Sequence, residues 1–120
     1  MKLVFPSNGK GIDDHIDQRF GRCPYFVSFD TETRTVSHID NVQNYQAAQG
    51  AGIQSATQVV NMHADVCITG HCGPKAFKVF NTAGVRVITG VDGKIREAIA
   101  QFSDGNLTFA DTADVEGHWM

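Results

Sequence analysis

The stretch from Asp65 to Thr89, DVCITGHCGPKAFKVFNTAGVRVIT, constrains the fold of this chain more than any other segment. Asp65–Thr69 is a short apolar run, the signature of a strand buried on both faces. Pro74 stands where a first helical turn tolerates a missing amide, and Gly84 stands where a left-handed cap ends a helix. Between them Ala76, Phe77, Phe80 and Ala83 form an apolar stripe. Val85–Thr89 then reads as a second buried strand. A helical crossover returns the chain in its original direction, so the two strands are parallel, and a parallel sheet needs helices to cover it. The same alternation extends both ways. Ile53, Ala56, Val59, Val60 and Met62 suit one face of a helix that starts near Gly52 and ends near His63. Asp92 is placed to cap another, with Ile95, Ala98, Ile99 and Phe102 at helical spacing.

The first half has a different texture. Lys2–Phe5 reads as a strand stopped by Pro6, and the SNGKG loop follows. Residues 12–23 show no clear period. Tyr25–Asp30 is aromatic and β-branched, a strand, and Thr35–Val42 is its hairpin partner. Asn106–Ala110 reads as a last short strand or a packed tail. The order β-β-β-α-β-α-β-α implies an α/β fold: a mixed five-stranded sheet, antiparallel then parallel, with helices on both faces. A ribonuclease-H-like arrangement satisfies it. One domain over residues 1–120 is expected, with a tail loose from about 111.

Composition narrows the function classes. A net charge of −3 leaves no basic excess to meet a nucleic-acid backbone. No run approaches the roughly 20 apolar residues that span a bilayer. The start MKLVFPSNGKG is too short in apolar residues for a signal peptide, so a cytoplasmic location is expected. Three cysteines, an odd number, fit a reducing compartment better than a disulfide framework.

Ligands of open α/β sheets sit outside the carboxyl ends of the strands. Three loops should meet there: Ser7–Gly11, Gly70–Gly73 and Thr89–Gly93. Cys72 lies just before a helix N-terminus, where the partial positive charge favours thiolate, the form that binds metal. His71 offers a second donor. Gly70 and Gly73 let the backbone turn sharply and leave room beside it. Lys75 in the first helical turn opposes the helix dipole unless an anion is held there; a solvated lysine pointing away is the simpler alternative. Cys67, inside its strand and roughly 10 Å from the loop, reads as a core cysteine. Cys23, with Arg19 and Arg22 beside it, reads equally as a partly buried structural cysteine or as a ligand. C-x₂-C and H-x₃-H zinc patterns are absent, as is a phosphate-binding G-x₄-G-K-[ST] loop. Asp13–His15 reads as a solvated acidic turn rather than a cation site. His118 and Trp119 belong to the tail, with folding over a site as the alternative.

Taken together, SNGKG…RFGRCPYF, GAGIQSATQVV and ADVCITGHCGPKAFKVFNTAGVRV resemble the dinitrogenase iron–molybdenum cofactor-binding family, in order and spacing, from about Met1 to Phe102. The resemblance implies a ribonuclease-H-like fold. It also implies binding of metal–sulfur clusters, iron–molybdenum cofactor or its precursors in some members and a molybdenum–copper sulfide in another, by carriers or scaffolds rather than enzymes. Many relatives lack a cysteine at the positions of Cys72 and Cys23, so this chain resembles a cysteine-bearing variant. Under that resemblance Cys23, His71 and Cys72 are the expected metal ligands. Ser7, Asn8, Arg22, Gly70, Gly73 and Lys75 are expected around an iron–molybdenum, Fe-S or molybdenum-containing cluster. Donor and acceptor proteins for the cluster are the expected partners. Two other readings stand beside it: a thiol-redox or sulfur-transfer protein using Cys72 as nucleophile, and a cofactor-free regulatory or interaction module.

Overall fold

The structure, a computed structural model, describes residues 1–41 and 51–113. Five strands, β1 (Lys2–Ser7), β2 (Tyr25–Asp30), β3 (Val36–Asp40), β4 (Val66–Ile68) and β5 (Arg86–Ile88), alternate in the second half with helices α1 (Ala51–Asn61), α2 (Pro74–Ala83) and α3 (Ile95–Ser103). The strand order across the sheet is β3-β2-β1-β4-β5. β1 pairs antiparallel with β2 and β2 with β3, whereas β1–β4 and β4–β5 are parallel. This is the mixed α/β, ribonuclease-H-like sheet that the element order implies.

Alternation along each strand builds two cores. Val4, Phe26, Cys67 and Val87 face α1 and α2, meeting Val59, Ala76 and Phe80. Leu3, Phe5, Val27 and Ile88 face the other way, onto Ile95, Ala98 and Ile99 of α3. Because both faces are covered, β4 reads as an unbroken apolar run, with all three residues buried. Among the described residues no helix is long and apolar enough to cross a membrane.

Three local expectations change, and one alternative is decided. β1 does not stop at Pro6 but continues to Ser7, with Pro6 opposite Phe26. The Pro6 carbonyl accepts from the Asp17 amide at 2.9 Å, so that residue's polar edge faces a loop beyond the end of β4, where no strand requires its missing N–H. Ile53 is 40% exposed and lies off the buried stripe of α1, which runs through Gly52, Ser55, Ala56 and Val59. Asp92 does not cap α3: the N-cap is Lys94, whose amide donates to Glu97 Oε1 at 3.0 Å. The Ile95 and Arg96 amides donate instead to the Asp14 and Ile12 carbonyls, so a loop distant in sequence caps this helix. Of the two readings of Asn106–Ala110 the packed tail is the one found, with the Ala110 amide donating to Val87 O at 2.7 Å and the Arg86 guanidinium 3.7 Å from the Phe109 ring centre. His118, Trp119 and Gly50 lie outside the described residues.

Candidate functional site

The carboxyl edge of β1, β4 and β5 is built by loops that hold one another. The Thr69 amide donates to Ile88 O at 2.9 Å, Gly90 to Gly70 O at 2.9 Å and Val91 to Thr69 O at 3.3 Å. The turns after β4 and β5 are therefore one hydrogen-bonded unit. The loop after β1 joins them through Gln18, whose Nε2 donates to Val91 O at 3.2 Å. A Cβ at Gly70 would collide with the end of that same side chain, so any larger residue there displaces Gln18 from the turn. Gln18 is a positioning residue that the sequence did not disclose, since nothing in its local pattern marks a tertiary contact.

Ser7 is buried, and its hydroxyl donates to Gly9 O at 2.7 Å while accepting from the Gly9 amide at 3.1 Å; it shapes its own turn. Asn8 is exposed, fixed by its amide to His15 O at 3.0 Å. The acidic turn beside it is structural: Asp13 holds Arg96 at 2.8 and 3.2 Å, and Asp14 accepts from the Gly11 amide at 3.0 Å. The Arg96 guanidinium keeps the Asp13 carboxyl below its ordinary value. Asp17, 3% exposed, is gripped by the Arg19 amide at 2.8 Å and its guanidinium at 3.2 and 3.0 Å.

The sulfur atoms converge, but inward. Cys23, Cys67 and Cys72 all belong to the core between the sheet and the α1/α2 layer, and each is at most 1% exposed. Cys67 is the core cysteine its strand position implies. Cys23 follows a single 3₁₀ turn at Phe20–Arg22, and its S–H donates to Phe20 O at 3.3 Å. Burial first, and the neighbouring Asp17 carboxylate second, push the Cys23 thiol up to about 12, against smaller opposing contributions from the Ser7 amide and the Asn41 side chain. Asn41, fully buried, donates to Cys23 O at 2.9 Å and to Ser55 Oγ at 3.2 Å, and accepts from Gln58 Nε2 at 2.8 Å. This polar knot ties the Cys23 segment to α1.

Cys72 immediately precedes Gly73, the N-cap of α2, and its S–H reaches the Gly73 carbonyl at 3.7 Å. The helix-terminus placement expected for it is present; the solvent access is not. His71 is exposed on the outer side of the same turn, while the Thr69 hydroxyl, beneath, donates to His71 O at 3.1 Å. Gly73 is buried and extended. Arg22 is half-buried beside Cys23. Lys75 is exposed and lines a groove between α1 and α2 with Lys78. Among the described residues no group of three or more His, Cys, Asp or Glu side chains is arranged to hold a metal ion.

Two solved structures and one sequence relative resemble this chain across nearly their whole length. The apo form of the orange protein from Desulfovibrio gigas superimposes with a TM-score of 0.92 at 33% identity, covering 95% of this chain and 96% of that one. A proposed NifB protein from Thermotoga gives a TM-score of 0.80 at 31% identity, covering 97% and 98%. An uncharacterised protein from Methanocaldococcus jannaschii is 29% identical over 109 residues, 89% of each chain. The family model described as "Dinitrogenase iron-molybdenum cofactor" matches residues 1–105, which contain every strand and helix named above and the loops of the carboxyl edge. The chain therefore belongs to the dinitrogenase iron–molybdenum cofactor family.

Proposed function

We propose that this protein carries a metal–sulfur cluster as cargo at the carboxyl edge of its parallel strands. The cargo would be iron–molybdenum cofactor or a precursor, or a related Fe-S or molybdenum-containing cluster. Family membership supports the chemical class, and the likeness to the apo form of the orange protein over 95% of the chain supports a cluster-related role. The observation that carries the reading is the His71–Cys72–Gly73 turn, a donor-bearing turn at the N-terminus of α2 on the ligand-binding edge of the sheet.

The donors fit such a cluster in kind. Imidazole and thiolate suit iron and molybdenum sulfides. In pose they fit unequally. His71 is exposed and meets a docking cluster directly; Cys72 becomes a ligand only when its turn opens, and Cys23 is enclosed as well. Arg22 and Lys75 supply positive charge near an anionic cargo, Asn8 a polar rim, and Ser7, Gly70 and Gly73 the backbone shape. Few protein ligands leave coordination positions for exchange, which suits a carrier rather than an enzyme. It also calls for proteins that donate and accept the cluster, in a reducing cytoplasm. The enclosed thiols, with Cys23 held protonated, weigh against a thiol-redox or sulfur-transfer role.

The test is anaerobic purification with metal and inorganic sulfide analysis and a visible spectrum, followed by reconstitution of wild type, His71→Ala, Cys72→Ser and Cys23→Ser. Wild type takes up metal and sulfide together, and His71→Ala and Cys72→Ser lose most of that uptake. Equal uptake by all four proteins overturns the ligand assignment. No uptake by wild type overturns the carrier reading.

A further inference from the structure

The groove between α1 and α2 meets the proposed cluster seat only at Lys75. It is an open trough of about 610 Å³ with almost wholly apolar walls, including Ile53, Thr57 and Val60 on α1 and Val79 on α2, rimmed by Lys75 and Lys78. From Ile53 to Val60 it follows two turns of helix, roughly 10 Å. Ile53, 40% exposed, is one of only three large apolar side chains so exposed among the described residues.

The charge around this trough is one-sided. The chain has 13 acidic residues and a net charge of −3, yet neither α1 nor α2 contains a single Asp or Glu; their only charges are the two lysines on the rim. An acidic protein thus presents a positive, apolar trough. We infer that this trough docks an amphipathic helix of a partner protein, with apolar anchors on one face and Asp or Glu flanking them. Two turns of groove match anchors at i, i+3 or i+4, and i+7, and the lysines, one helical turn apart on α2, meet carboxylates beside those anchors. A symmetric contact with a second copy would bring two lysine-rimmed troughs together with no acidic residue on α1 or α2 to meet them, which disfavours self-association through this face.

The experiment selects binders from a displayed library of stabilised three-turn helices, randomised equally among Leu, Ala, Glu, Lys and Gln, and locates them by amide chemical shifts. Selected helices are enriched in Glu flanking Leu at i, i+4 and i+7, and they perturb Ile53, Thr57 and Lys78. Lys78→Glu weakens them at least tenfold, and Thr57→Arg, which fills the trough from an exposed position, does the same. Circular dichroism and thermal melts verify that both variants remain folded. Binders that map elsewhere, or that carry as much Lys as Glu, overturn the inference. So does sedimentation showing a wild-type dimer that Thr57→Arg dissociates, which would assign the trough to a second copy. The readout is independent of cluster content, so the docking surface and the cluster seat stand or fall separately.

Discussion

Replacing Cys23 with alanine should change the alkaline stability of the protein in a direction opposite to its effect at neutral pH. In the folded chain the thiol is pushed up to about 12 from an ordinary 9.0. Folding therefore favours the protonated thiol. Its contribution is fully present below pH 9.0 and is lost as pH rises toward 12, because the unfolded thiol ionises first. Each pH unit in that window removes about 1.4 kcal/mol, so near pH 10.5 the wild type has lost about 2 kcal/mol through this group. Cys23→Ala removes the sulfur and its S–H bond to Phe20 O from a closed core. That costs roughly 1–2 kcal/mol near pH 8. The gap between the proteins then closes, or reverses, by about pH 10.5. Urea unfolding of both proteins between those limits measures it, and the difference cancels titrations common to the two. A gap that stays constant with pH would show that Cys23 ionises normally and that the thiol is not sealed as described.

Three smaller perturbations follow from single contacts. Gly70→Ala displaces the Gln18 side chain and costs the bond to Val91 O, about 1 kcal/mol; Gln18→Ala costs a similar amount, and the double variant costs less than the sum, which a double-mutant cycle by urea unfolding reads directly. Gly84 has φ 77° and open space around its missing Cβ, so Gly84→Ala loses only conformational energy, about 1–2 kcal/mol in thermal unfolding, with α2 otherwise intact. Phe80, fully buried with its ring centre 5.7 Å from that of Phe20, should cost about 3–5 kcal/mol on truncation to alanine.

The second half of the fold was legible because its signals are local. Pro74 and Gly84 bracket α2 at the residues expected, and the short apolar runs around Cys67 and Val87, set on either side of that helix, read as parallel strands. What was hidden depends on partners far along the chain. Asp92 has the composition of a helix cap, but the Ile12 and Asp14 carbonyls reach the α3 amides first. Pro6 has the composition of a stop, but the neighbouring loop removes the need for its amide. At the candidate site the sequence pointed to the edge and the turn; spacing left open whether Cys23 and Cys72 share a neighbourhood, and it is the fold that puts both in one core. The sequence did not show that both sulfurs are enclosed in the core that also holds Phe20, Ala76 and Phe80, because enclosure is a property of packed volume and leaves no mark in spacing. Asp17 and Asn41 were overlooked for the same reason: each is a polar residue whose burial is made tolerable by partners brought in by the fold.

That enclosure gives a kinetic way to separate two modes of cluster seating. If Cys72 ligates the metal, the Gly70–Gly73 turn must open first. The turn is held by the Thr69 hydroxyl on His71 O at 3.1 Å and by the Gly90 amide on Gly70 O at 2.9 Å. Two such bonds are worth about 2 kcal/mol together, which puts the open fraction at roughly a few per cent. Alkylation of Cys72 in the empty protein and uptake of cluster then pass through the same opening, and both are slowed by the same factor. Thr69→Val removes one of the two bonds while keeping the side-chain shape. It should raise the Cys72 alkylation rate about fivefold, the equivalent of about 1 kcal/mol, and raise the cluster uptake rate by the same ratio. Alkylation that accelerates while uptake stays constant would place the cluster on His71 and the surrounding charges, outside the closed turn. An alkylation rate that does not respond to Thr69→Val would refute the opening itself, because the hydroxyl would then not be among the contacts that keep the sulfur enclosed.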